Sequence, residues 1–284
     1  MDVNAFDRLD PAGFYGKFIW NRIRPDGRTF HATRAVSVDL GVLSPRHAAA
    51  SALARVGGTK VIAGITLLVG QPPDYAPSAG EIDVQVHLTP LSSNKFASGK
   101  SEQAAAIDVL VKDIIVGSRA VRLADLCIES GRSAWKVCID LVCVAHEGNV
   151  ADTAALAAVA ALGALRLPDT MLGDDGAVMI KEGERWFEWH CTPLWLRHIP
   201  IPLTVCVFGA AVIADPTAAE EELVDAVLTV ATMAPSGEVP GTICGLWKPG
   251  GAVVSAAQLQ ECLALAAAHA VRVSAMPAFA AAAA

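Results

Sequence analysis

The chain has 284 residues, of which 53% are hydrophobic and 18% charged, with a net charge of -7. That length supports one large domain or two medium ones with sizeable cores, and the apolar content excludes a disordered polypeptide. The acidic balance argues against autonomous tight binding of nucleic acid, and the low charge leaves apolar surface to be covered by partners.

In chain order, residues 6–23 read as an amphipathic lead-in helix with Pro11 near its start, followed by the turn cluster Arg24-Pro25-Asp26-Gly27-Arg28. Val36 to Leu40 alternates as a strand. Ser51 to Val56 and Lys60 to Val69 flank Gly57-Gly58-Thr59, a hairpin signature because glycine supplies the positive φ of a tight turn. Ile82 to Leu88 alternates, with Val84, Val86 and Leu88 on one face. Glu102 to Ile115 predicts a helix, because Ile107, Leu110, Val111 and Ile114 form an i, i+3, i+4, i+7 stripe. Trp135 to Ala145 reads as a buried strand turned by His146-Glu147-Gly148-Asn149. Asp152 is expected to cap an Ala/Leu helix running to about Leu165, stopped by Leu167-Pro168. Residues 169–189, rich in Gly and charge, read as a connector.

The second half repeats the plan. Strands are expected over Leu203–Phe208, Val212–Asp215, Ala226–Met233 and Thr242–Trp247, then a helix from Ser255 to about Arg272. Runs of strands followed by helices in both halves favour an α+β fold over a parallel, doubly wound sheet. The division expected is 20–168 for the first domain, 190–275 for the second, and 276–284 for a disordered, Ala-rich tail.

The seven cysteines sit mostly in apolar runs without a Cys-x-x-Cys pair, which suits reduced thiols in an intracellular protein and offers no zinc site. Met1 to Arg8 lacks the basic and apolar regions of a signal peptide, and the longest apolar runs fall short of the roughly 20 residues of a spanning helix. A soluble chain is the expectation. There is no dinucleotide fingerprint, no Walker loop and no nucleophile elbow. Glu220-Glu221-Glu222 point in different directions on a helix and read as an acidic first turn instead of a metal site. From His190 to Ala214 there is neither Asp nor Glu. The loop Ser92 to Lys100 is polar with one aromatic, Phe96. It reads as a solvated loop or, alternatively, a phosphate-contacting one through Lys95 and Lys100.

An ordered set of landmarks spans about residues 20–275: Arg24-Pro-Asp-Gly-Arg28, Gly58-Thr-Lys-Val-Ile-Ala-Gly-Ile65, Ser92-Ser-Asn-Lys-Phe96 with Gly99, Asp125-Leu-Cys-Ile128, Trp135, Asp140-Leu-Val-Cys143, Gly148-Asn149, His198-Ile-Pro200, Asp215-Pro216-Thr217 with Glu220-Glu221, and Lys248-Pro-Gly-Gly251. In this order the chain resembles the RNase PH family, and more narrowly the RNase PH-like ring subunits of the eukaryotic RNA exosome.

The resemblance implies an RNase PH fold of two similar sheet-plus-helix halves. Active members hold phosphate with a Gly-Gly-Thr-Arg segment opening the central helix, where outward N–H groups and a guanidinium suit an anion. Here that segment corresponds to Gly148, Asn149, Val150 and Ala151, so the hydroxyl and the guanidinium are both replaced and the phosphate site is lost. Active members also carry paired Asp residues on a second-half strand for a divalent ion, and the corresponding acid-free stretch has none. Losing one such clamp alone removes about 3 kcal/mol of transition-state stabilisation.

The resemblance therefore implies a non-catalytic subunit with no cofactor and no bound metal. It implies partnership with other RNase PH-like subunits in a hexameric ring, RNA-binding cap subunits, and single-stranded RNA threading the assembled channel. The site would be the nucleus, including the nucleolus, and the cytoplasm. Related loops bring basic residues towards that channel in a Ser-x-Arg-Phe-Arg-x-Gly-Pro pattern. Here Lys95 stands for the first Arg, Ala97 for the second and Lys100 for the Pro.

Overall fold

A computed structural model describes residues 11–93, 96, 102–172, 178–180, 191–233 and 241–280. Pro11–Trp20 forms helix α1, with proline at the first helical position, where its missing N–H is harmless. The first sheet is built from β1 (Val36–Leu40), β2 (Ala50–Val56), β3 (Thr59–Gly70), β4 (Glu81–Leu88), the short β5 (Cys127–Glu129) and β6 (Ser133–Ala145). Its order is β1-β2-β3-β6-β4, with β5 paired to β6. Every pairing is antiparallel except β4 with β6. The glycine hairpin lies where the sequence places it: Gly57 has φ +57° and Val56 pairs with Thr59. Ile82, Val84, Val86 and Leu88 all point inward.

Helix α2 (Glu102–Lys112) packs on β4 and opens into a π turn over Asp113–Gly117. Helix α3 (Val150–Gly163) follows β6. The second sheet holds β11 (Pro200–Phe208), β12 (Ala211–Ala214), β13 (Ala226–Met233) and β14 (Ile243–Trp247), in the antiparallel order β12-β11-β13-β14. Between the two sheets in chain order come β7 (Arg166–Pro168), paired with β10 (Cys191–Pro193), and the hairpin of β8 (Thr170–Leu172) with β9 (Val178–Ile180). Helix α4 (Ala218–Glu221) is a single turn capped by Thr217 and Glu220. Helix α5 (Ala256–Ser274) starts on a Ser255–Gln258 capping box and covers β11 and β13.

This is the expected α+β plan of two sheet-plus-helix halves, and α3 is its centre. Apart from Asp152 and Thr153 in its first turn, the helix is apolar all round and nearly wholly buried, with β2 and β3 on one side and β11 on the other. An amphipathic stripe would fail there, because both faces meet a sheet. Among the described residues no helix is long and apolar enough to cross a membrane.

Four sequence readings need correction. Asp152 does not cap α3. Asn149 occupies the cap position in the left-handed region (φ +53°), and Asp152 lies inside the first turn with its carboxylate turned into the protein. The helix ends at Gly163, and Leu167-Pro168 belongs to β7, so proline begins no break there. The tail is not frayed from residue 276: Pro277–Ala280 forms helix α6, and Phe279 is fully buried against the α3 core. One large aromatic provides enough apolar area to anchor an otherwise Ala-rich end. The connector, too, carries the β8–β9 hairpin.

Candidate functional site: the cleft at the start of the central helix

The turn Glu147-Gly148-Asn149 delivers the chain from β6 into α3, and the second half presses directly on it. Gly148 has φ +96°, and a Cβ there would stand 2.3 Å from the Ala218 nitrogen and 2.5 Å from the Thr217 carbonyl carbon. Only glycine permits that approach. The contact is sealed by the Ala218 N–H donating to the Glu147 carbonyl (3.1 Å) and by Thr59 Oγ1 donating to the Gly148 carbonyl (2.6 Å).

On one flank of this turn lies a buried ionic lock. Asp215, itself at φ +51°, accepts from Arg34 Nη2 (2.7 Å), Arg34 Nε (2.9 Å), the Arg34 N–H (2.7 Å) and Asn149 Nδ2 (2.9 Å). Despite burial, which acts the other way, Arg34 and Asn149 hold the Asp215 carboxyl down at about 2. Arg24, only 1% exposed, donates from Nε to Glu220 Oε1 (2.8 Å), and its Nη2 meets Glu220 Oε2. Its remaining donors reach the Ala214 and Asp215 carbonyls, each at 2.9 Å. The Arg24-Pro-Asp-Gly-Arg28 cluster, read in sequence only as a turn, thus fastens the N-terminal segment to the second half.

Asp152 links α3 to β11. Its carboxylate accepts from the Thr204 N–H (2.6 Å), Thr204 Oγ1 (2.7 Å) and Asn149 Nδ2 (2.9 Å), and Thr229 Oγ1 lies 2.9 Å from Thr204 Oγ1. Burial raises its pKa to about 6, with those hydrogen bonds opposing the rise.

The other flank opens into a cavity of about 620 Å³. Val150 and Ala151 from the start of α3 form part of its wall. Ile107 and Leu110 come from α2, Val227 and Thr229 from β13, and Leu246 and Trp247 from β14. Of the four residues expected to mark a lost phosphate site, Asn149, Val150 and Ala151 line this cavity, and Gly148 lies beneath Pro216–Ala218. Where an anion would meet a helix N-terminus, the Glu221 carboxylate stands instead, accepting the Asn149 N–H at 2.7 Å. Burial pushes Glu221 up to about 7, and Asp152 and Asp215 add to the rise.

The acidic triplet therefore diverges as expected, but its members are not one solvated turn. Glu220 is in the lock, Glu221 faces the cleft and Glu222 is exposed. The signal that could have found this was the pairing of three early arginines with a distant acid cluster, invisible without the fold. Strand β11 carries no carboxylate; the cleft's acids are Glu221 and Asp113, the latter accepting from the Trp247 indole N–H. Among the described residues no group of three or more His, Cys, Asp or Glu could hold a metal ion. Lys95 and Lys100 lie outside the described residues. Phe96 is buried, its ring 5.2 Å from that of His146, which puts this one side chain beside the turn into α3. The seven cysteines are free, three of them buried.

The chain matches the 3' exoribonuclease family, domain 1, over residues 32–168 and domain 2 over 198–269. It belongs to this family. The "Exosome complex component Rrp42" of Methanocella arvoryzae is 34% identical over 86% of this chain and 86% of its own length. The "Exosome complex component RRP45A" of Arabidopsis thaliana is 31% identical over 92% of this chain and 83% of its own. Among solved structures, a chain of the Archaeoglobus fulgidus exosome with RNA bound to the active site superposes with a TM-score of 0.79 at 28% identity, covering 92% of this chain and 95% of that one. The family thus supplies the two-domain exosome type of RNase PH fold, and the cleft described above lies where its two domains meet.

Proposed function

We propose that the chain is a non-catalytic subunit of an exosome-type hexameric ring, supporting the threading of RNA to a separate nuclease for 3′-end processing and decay, including ribosomal RNA maturation. The observation that carries the non-catalytic part is the start of α3. Val150 and Ala151 stand where a phosphate grip needs a hydroxyl and a guanidinium, and the Glu221 carboxylate faces the same space. Supporting the ring part are the curated relatives, both exosome components by name and similar over most of their length. Other RNase PH-like subunits, RNA-binding cap subunits and single-stranded RNA are the proposed partners. Nucleus, nucleolus and cytoplasm are the proposed locations.

The order of landmarks in the sequence resembles exosome component eight, also called ribosomal RNA-processing protein forty-three, whereas the relatives above are of the Rrp42 and RRP45 types. Reconstituting rings with one subunit omitted at a time distinguishes these positions: the chain restores assembly only in place of its own type.

A second reading, an active phosphate-dependent 3′-exoribonuclease, draws on the family's character and on the acids Glu221 and Asp113 in the cleft. Release of nucleoside diphosphates from RNA by the purified chain decides between the two. No phosphate-dependent turnover is expected, and turnover abolished by withdrawing phosphate would favour the second reading. A monomer that ignores other ring subunits would instead indicate a free-standing binding protein. Within an assembled ring, charge reversal of Lys95 and Lys100 is expected to weaken RNA protection.

A further inference from the structure

We propose that the cleft between α2 and the β13–β14 pair is a binding site for a small, apolar-bodied amine whose ammonium group pairs with the Glu221 carboxylate. Its volume of about 620 Å³ is that of a small-molecule site. The body of such a ligand would lie against Ile107, Leu110, Val150, Val227 and Leu246.

The charges around the cleft decide the polar end. Asp113 is engaged by the Trp247 indole. The Lys248 ammonium is turned to the Gly250 and Gly251 carbonyls, at 2.6 and 3.3 Å. That leaves Glu221. Its Oε1 takes the Asn149 N–H, and the side chain lines the cleft. This carboxylate is set in a mostly apolar wall, and burial raises its pKa to about 7. Arg34 offsets this in part, and Asp152 and Asp215 aggravate it. An ammonium at this carboxylate answers that charge, a neutral ligand leaves it unanswered, and an anion is repelled. The inference goes beyond the ring reading and does not depend on it, since either outcome for assembly leaves the cleft as it is.

The test is a set of probes matched in shape: 4-phenylbutylamine, 4-phenylbutanol and 4-phenylbutyrate. Each is titrated into the full chain by calorimetry and ligand-observed NMR at about pH 8, where Glu221 is mostly ionised. The amine is expected to bind about tenfold tighter than the alcohol, with the butyrate weakest. Glu221→Gln should bring the amine down to the level of the alcohol. Leu246→Lys, on the exposed edge strand at the cleft mouth, places a competing cation there and should remove amine binding even if the Glu221 variant folds poorly. Butyrate binding as tight as the amine, amine binding unchanged in a folded variant, or binding of none of the three would each overturn the proposal.

Discussion

The two flanks of the turn into α3 treat charge in opposite ways. Towards the N-terminal segment, Asp215 and Glu220 are each met by guanidinium groups aligned to both carboxylate oxygens. Towards the cleft, Glu221 meets one backbone N–H and apolar walls. The first arrangement specifies a single docking of the two halves, because a displaced partner would strand a buried charge. The second ties Glu221 to the α3 start by that one bond and otherwise turns it to the cleft.

Breaking the lock is the harshest test of that contrast. Arg24→Ala leaves Glu220 and two carbonyls buried without their partner, and denaturant unfolding should show a loss of about 3–5 kcal/mol. Gly148→Ala forces both a positive φ and a collision with the backbone of residues 216–218. A loss of about 2–4 kcal/mol is expected, visible as a lowered thermal midpoint. Thr204→Val keeps shape and removes the hydroxyl between Asp152 and Thr229. About 1–3 kcal/mol should disappear in the same unfolding assay, because Asp152 stays buried with one donor fewer.

The cleft flank gives the smallest effect and the most specific one. Glu221 titrates near 7 in the folded chain against an ordinary 4.5, so the folded state holds this proton more tightly than the unfolded state. Its contribution to stability is therefore full below pH 4.5 and is lost as pH rises to about 7. Glu221→Gln should leave stability near pH 4 unchanged and raise it by roughly 1–2 kcal/mol at pH 8 relative to the parent chain. Equal pH profiles for the two proteins would mean that the carboxylate is as well solvated as a surface acid, and the contrast between the flanks would fail.

Much of the local architecture was legible because it follows from short-range rules. The Gly57-Gly58 hairpin, the alternation of Ile82 to Leu88 and the Ser255 start of α5 each depend on neighbours within a few residues, and each is found within a residue or two of its expected place. The family resemblance also came from sequence, since ordered landmarks survive where single motifs carry little. The start of α3 was misread for the same reason that the hairpin was read correctly. A local rule assigns Asp152 to a cap, but Thr204, some fifty residues away, supplies stronger donors and draws the carboxylate inward.

Sequence by itself determined the α+β class, the duplicated plan and the apolar character of Val150 and Ala151, because these are properties of composition and short-range pattern. Only the tertiary structure decided that α3 is enclosed by two sheets, that Phe279 closes the core, and that Glu220 and Glu221 part company, one into a salt bridge and one into a cleft. Those outcomes rest on electrostatics and packing between segments distant in the chain. Such terms depend on the separation of groups in space, which no spacing along the chain encodes.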